Sequence, residues 1–236
     1  MSSVSSGARS DALSDPPDDA PTDVRSGETK VNIFKERIFP IIFMFLVTSF
    51  FIALVSGIFL ATKEEVERNQ ALYLKRAVLF AAGFEVSEIT AEIEDSFEQN
   101  IREVELLDDL GEVVSISYYE VGGSGAASGY VLPIKGPGLW GEIAGVAGFE
   151  VDLETMTGID FTDQNETPGL GGRITEVWFR EQFRGKRGPF SRVPEGTNSQ
   201  AKNEFDSITG ATITSTAIQN ILNETLVAAP EIVRGR

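Results

Sequence analysis

From Ile38 to Thr62 the chain runs for 25 residues without a charge, dense in Phe, Ile, Leu and Val, between Lys35-Glu36-Arg37 and Lys63-Glu64-Glu65. A helix of that length rises about 1.5 Å per residue and crosses the roughly 30 Å hydrocarbon layer of a bilayer. A buried helix of a soluble protein would keep a polar stripe, whereas Phe39, Ile42, Phe43, Phe45, Phe50, Phe51 and Ile52 cover every face. The stretch is also longer than the apolar part of a cleaved signal peptide and has no small-x-small exit. Pro40 falls in the first turn, where a missing N–H costs least. The pattern therefore predicts a retained transmembrane anchor over residues 30–62. Its direction is undecided by charge, because Arg25, Lys30, Lys35 and Arg37 on one side are matched by Lys63, Arg68, Lys75 and Arg76 on the other.

Beyond the anchor, Val66, Leu72, Leu74, Val78 and Leu79 recur among charges and predict a helix over 63–82. Ile93, Phe97, Ile101, Val104 and Leu107, spaced by three and four, predict a second helix over Ile89–Leu107 that Gly111 ends. The period then shortens. Alternating runs at Val113–Tyr119, Tyr130–Ile134, Glu142–Val151 and Thr157–Phe161, parted by Gly and Pro, predict strands of a largely antiparallel sheet. A short helix is expected over Ile174–Phe183 with Val177, Trp178 and Phe183 inward, then a basic loop from Gly185 to Asn198. A last helix follows Gly210, with Ala217, Ile218, Ile221, Leu222 and Leu226 on one face and Ser215, Gln219 and Asn223 away from it. The expected architecture is α+β: a tail over 1–29 too polar to fold, one transmembrane helix, and a single extramembrane domain over 63–236, its sheet flanked by helices.

Composition narrows the chemistry. Twenty Lys and Arg against 36 Asp and Glu give a net charge of −16, which argues against nucleic acid as a partner. The chain has no Cys and no His. Disulfides, thiol catalysis, Ser-His-Asp triads and the usual zinc sites are excluded, and no metal site or catalytic residue is assigned. Redox or group-transfer chemistry would have to come from an organic cofactor or a partner.

Three segments invite a chemical reading. In Asp206-Ser207-Ile208-Thr209-Gly210-Ala211-Thr212-Ile213-Thr214-Ser215, two small residues stand where a loop enters a helix, amid clustered hydroxyls. The unpaired N–H groups and positive dipole end of such a helix favour an anionic phosphate, although Thr209 or Ser207 acting as a plain N-cap accounts for the same residues. The second segment, Gly136-Pro137-Gly138-Leu139-Trp140-Gly141, is a glycine-rich break carrying an indole. The third is Glu166-Thr167-Pro168-Gly169-Leu170-Gly171-Gly172. Both are also ordinary turn chemistry.

Residues 206–212 resemble the Asp-x-x-[Ser/Thr]-Gly-Ala-[Ser/Thr] motif at whose last residue a dedicated flavin transferase attaches FMN by a phosphodiester bond, and every fixed position matches. With the other two blocks in order, the chain resembles the FMN-binding C subunits of the sodium-translocating NADH:quinone oxidoreductase (Nqr) and, less fully, the G subunits of the related Rnf complex. One departure is Gln164, where the family often has His.

The resemblance implies covalent FMN at Thr212, with Asp206 needed for attachment more than for stability and Thr209, Gly210 and Ala211 completing the motif. It implies that Leu139, Trp140 and Leu170 give apolar contact to the flavin ring, that Glu166 and Thr167 give polar contact, and that Gly171 lets backbone approach the ring. It further implies an electron relay among other membrane and flavin subunits, in the cytoplasmic membrane, with residues 63–236 on the outer face. The alternatives are the Rnf homologue and an anchored, non-redox binding or assembly protein.

Overall fold

The computed structural model describes residues 38–107, 113–123 and 125–234. The expected tail over 1–29, the first residues of the anchor and Gly111 lie outside them. The described residues fall into two units that divide after Ile58.

The first helix, α1 (Phe39–Ala81), holds the apolar stretch and the predicted 63–82 helix in one run. Over the apolar stretch its large side chains are exposed on all sides, and it is long and apolar enough to cross a membrane. Its last turns carry the periodic pattern of a packed helix, with Ala77, Val78, Leu79 and Ala81 buried.

The second unit is built on a five-stranded antiparallel sheet in sequence order: β1 (Ile101–Leu107), β2 (Val113–Val121), β3 (Gly129–Pro137), β4 (Glu142–Glu150) and β5 (Met156–Asp163). Helix α2 (Thr90–Asn100) precedes it. After β5 come a 3₁₀ turn (Gly171–Thr175), α3 (Val177–Glu181), the two-stranded parallel pair β6 (Ser191–Val193) and β7 (Glu204–Asp206), and α4 (Thr212–Arg234). The α+β architecture with a largely antiparallel sheet flanked by helices is as expected.

Both faces of the sheet are covered. On one, the end of α1 packs with Ile93 and Phe97 of α2 against Tyr119, Val121, Val131 and Val146. On the other, Leu132, Ile134, Ala147, Phe149 and Phe161 meet the α3 region and Ile218, Ile221 and Leu222 of α4. The end of α1 lies so close to the sheet that a Cβ at Gly148 would come within 2.0 Å of the Ala81 carbonyl oxygen. That carbonyl, left open by the helix end, accepts the Thr157 hydroxyl at 2.6 Å, and the Phe80 carbonyl accepts Arg184 Nη2 at 3.2 Å besides the Gly83 N–H at 3.1 Å.

Four expectations are corrected. The predicted 89–107 helix stops at Asn100 and its second half is β1. Ile101 joins the core on one face of the sheet and Val104 packs toward the other, with an irregularity in register after Val104. In this edge strand Arg102, Glu103 and Glu105 are exposed while Ile101 and Val104, three apart, pack inward on opposite faces, a spacing that imitates a helix. In the short helix the inward residues are Phe179 and Phe183, while Val177 is 61% exposed and Trp178 37%. A 3₁₀ turn ahead of a five-residue helix shifts the phase that a single longer helix would have had. Ser215 does not face away but is fully buried, its Oγ accepting the Ile208 N–H at 3.0 Å. The basic loop after Gly185 contains β6, whose partner β7 leads straight into the 206–212 motif.

Candidate functional site

Gly210 takes φ +79°, the left-handed turn that closes the approach to α4 and that a side chain would strain. The segment before it is pinned at every backbone N–H. Asp206 N–H donates to Gln182 Oε1 at 2.7 Å, Ser207 N–H to the Val193 carbonyl at 2.8 Å, Ile208 N–H to Ser215 Oγ at 3.0 Å and Thr209 N–H to Glu195 Oε2 at 2.7 Å. The Ser207 hydroxyl donates to the Val193 carbonyl at 2.8 Å, so the simple N-cap is not where that hydroxyl goes.

Against the first turn of α4 lies a cleft of about 250 Å³ lined by Leu139, Glu166, Thr167, Leu170, Gly171, Gly210, Ala211, Thr212, Ile213 and Thr214. Eight of the eleven residues assigned from sequence line it. Trp140 stands at its edge, its indole Nε1–H donating to Thr167 Oγ1 at 3.0 Å. Asp206 and Thr209 do not line it. The Asp206 carboxylate is buried and accepts Gly196 N–H at 2.8 Å and Asn198 N–H at 3.2 Å, bracing the loop after β6. Thr209 is exposed beside Glu195, which pairs with Arg173 at 2.9 Å. That guanidinium, with the Thr209 N–H, holds the Glu195 carboxyl far below its ordinary range, at about 2. Ile213 and Thr214 were missed. Their signal was position alone, since the first turn of a helix that forms a site brings its neighbours with it.

Glu166, buried at 5% exposure, joins the three sequence blocks. Its Oε1 accepts the N–H groups of Leu139 and Trp140 at 2.7 and 3.1 Å, and its Oε2 accepts the Thr214 hydroxyl at 2.5 Å. Gln164, at the position where His is frequent in the resembled family, turns its Oε1 back onto the Glu166 N–H at 2.7 Å.

The hydroxyls of the motif are unequal. Thr214 is buried and bonded to Glu166, and Thr216 donates to the Thr212 carbonyl at 2.8 Å. Thr212 is exposed, and among the described residues no hydrogen bond occupies its hydroxyl. Around it the apolar side chains Leu139, Trp140, Leu170 and Ile213 stand 42–68% exposed. Exposed large apolar groups beside a helix start suit a flat aromatic ligand carrying an anionic group, and this chemistry fits FMN.

Residues 138–227 match the family model of the FMN-binding domain. Over 105 residues the chain is 36% identical to the C subunit of the Na(+)-translocating NADH-quinone reductase of Pasteurella multocida, a match covering 41% of this chain and 40% of that one. The corresponding protein of Neisseria meningitidis serogroup B is 34% identical over 132 residues, 51% of each. The G subunit of the ion-translocating oxidoreductase complex of Methanosarcina acetivorans is 37% identical over 119 residues, 50% of this chain and 60% of that one. The chain thus spans about half the length of the relatives it matches. The crystal structure of the reductase's C subunit from Parabacteroides distasonis superposes with a TM-score of 0.58 at 25% identity, covering 74% of this chain and 98% of that one. Shewanella oneidensis NqrC, at 22% identity and a TM-score of 0.59 over 67% of this chain and 93% of that one, shares the fold. These matches bear out the resemblance read from the three blocks.

Proposed function

We propose that this chain is a membrane-anchored electron carrier bearing FMN, joined through a phosphodiester to the Thr212 hydroxyl, and a component of an ion-translocating NADH:quinone oxidoreductase. The observation that carries the reading is the state of the motif hydroxyls: Thr212 is the exposed and uncommitted one, at the mouth of the cleft that the ring-side blocks complete. When bound, FMN takes up and releases electrons, the chemistry that a chain without Cys or His cannot supply itself.

The residues divide the labour. The N–H groups at the start of α4 favour the negative phosphate, and Thr212 supplies the oxygen that carries it. Leu139, Trp140, Leu170 and Ile213 offer apolar surface to the ring, and Thr167 orients the indole. The cleft of about 250 Å³ is smaller than the pockets of about 300–1,000 Å³ that enclose a ligand. It grips rather than encloses, and a covalent tether suits a carrier with so shallow a hold. Asp206 and Thr209 enter as the residues a flavin transferase reads, in addition to the bracing they provide within the fold.

Intact-mass spectrometry of the chain co-expressed with its transferase is expected to show one FMN less one water, with the adduct mapped to Thr212. An unmodified mass, or an adduct at Thr214 or Thr216, overturns the assignment. Residues 63–236 are assigned to the outer side of the cytoplasmic membrane, where other subunits of the complex exchange electrons with the flavin. Protease added to spheroplasts is expected to digest the domain, and protection would reverse the topology. The identity to the Methanosarcina protein supports a second reading, membership of an Rnf-type complex, in which the chemistry of this chain is the same.

A further inference from the structure

Glu166 occupies the point where three separately encoded segments meet, and both of its carboxylate oxygens are spent there on protein donors. Room for it is provided by two glycines. A Cβ on Gly138 would come within 2.5 Å of Glu166 Oε1, and one on Gly171 within 2.5 Å of Thr214 Oγ1 and 2.6 Å of Glu166 Oε2. Gly138 and Gly171 therefore yield to a carboxylate, whereas the resemblance implied that these loops yield to a ring.

We propose, building on the reading of the cleft as a flavin site, that Glu166 is a positioning residue: it ties the Leu139–Trp140 rim to the first turn of α4 and so fixes the apolar rim relative to Thr212. Two of its three bonds run to backbone N–H groups of the loop, so the loop's path, and not merely one rotamer, depends on it. The residue delivering the carboxylate is itself anchored by Gln164. Removing the carboxylate leaves two loop donors and the Thr214 hydroxyl without their acceptor, and each such loss in a buried place loosens the structure. Glutamine keeps the arrangement, because its Oε1 accepts the two N–H groups and its Nε2 donates to Thr214 Oγ1.

The test uses the full chain in detergent. In the unloaded protein, Glu166→Ala is expected to speed amide exchange at Leu139 and Trp140 by about tenfold or more, and Glu166→Gln to bring it back near the wild-type rate. Thr214→Val, which removes one of the three donors with little change of shape, is expected to give a smaller acceleration and reports on the brace should Glu166→Ala not fold. In the loaded protein, compared per bound FMN, Glu166→Ala is expected to move the visible absorption band and the midpoint potential, and Glu166→Gln to restore the band. Gly171→Ala is expected to act in the same direction as Glu166→Ala, and the double variant to go no further than the larger single effect, because both disrupt the Glu166 junction. Wild-type exchange rates in Glu166→Ala, a Glu166→Gln protein that behaves like Glu166→Ala, or additive effects of the two substitutions would each overturn the brace. A wild-type chain that never carries FMN while the exchange results hold would overturn the flavin reading alone.

Discussion

Asp206 lines one cavity and Gly210–Thr214 line another, and the larger of the two is the less informative. It has a volume of about 490 Å³ and is lined by Gln182, Lys186, Asn198, Lys202 and Asp206 among others. Several of its polar groups are turned on one another: Asp206 accepts the N–H groups of Gly196 and Asn198, Gln182 exchanges two bonds with the Asp206 backbone, and Lys186 Nζ donates to the Ala201 carbonyl. The cleft at α4 is about half that volume, yet it carries an uncommitted hydroxyl and four exposed apolar side chains. A site is marked by groups the fold leaves unspent, and volume is a poor guide to it.

Substitutions at the two places should separate these roles. The largest effect is expected from Thr212→Ala, which should abolish covalent flavin by in-gel fluorescence while the melting temperature stays near wild type, because the side chain is exposed and unbonded. Asp206→Ala, at the larger cavity, should lower flavin yield and also melt earlier. It leaves the Gly196 and Asn198 N–H groups without an acceptor, a cost of about 1–3 kcal/mol, equivalent to several degrees in Tm. A wild-type melt with lost flavin would leave Asp206 needed for attachment more than for stability, as the resemblance implied.

A smaller effect concerns pH. The Glu195 carboxyl is held near 2 in the folded chain, below its ordinary value of 4.5. Its contribution is therefore fully present above about pH 4.5 and is lost as pH falls through that value toward 2. Glu195→Gln should remove that part of the acid dependence, so that Tm falls less steeply between pH 4.5 and 2 than in the wild type. An unchanged slope would show that Arg173 and Thr209 do not hold the carboxyl in solution. The smallest effects are expected from Trp140→Ala and Leu170→Ala, as shifts in the flavin spectrum per bound FMN. If neither moves it, the rim does not meet the ring.

Much of this was legible in the residues. The 25-residue apolar run, the strand rhythm after Val113 and the amphipathic face of α4 needed only periodicity, and the cleft assembled from blocks whose order is visible in the chain. What was illegible has a common cause, which is that partners lie far away in sequence. Ser215 reads as a polar residue on a helix surface until Ile208 N–H is seen to require it. Val104 reads as helical until Ile101 and Val104 are seen to pack on opposite faces of the sheet. Glu166 reads as a ligand contact because nothing local says that Leu139, Trp140 and Thr214, 26 to 48 residues away, will claim its oxygens.

The order of the strands has a consequence in time. Every strand of the five-stranded sheet pairs with its neighbour in sequence, so β1 to β5 can zip together through hairpins as the chain emerges, with little loop to close. The face formed by Leu132, Ile134, Phe149 and Phe161 then waits for α4. About 50 residues separate the end of β5 from Thr212, which at synthesis rates of roughly 5–20 residues per second is an interval of about 2–10 s. Through that interval the α3 region can cover only part of this face, and the cleft lacks the wall that Gly210–Thr214 supply. Helix α4 is thus both a lid of the core and a wall of the cleft, and a chain stalled before it would aggregate for the same reason that its cleft would be incomplete.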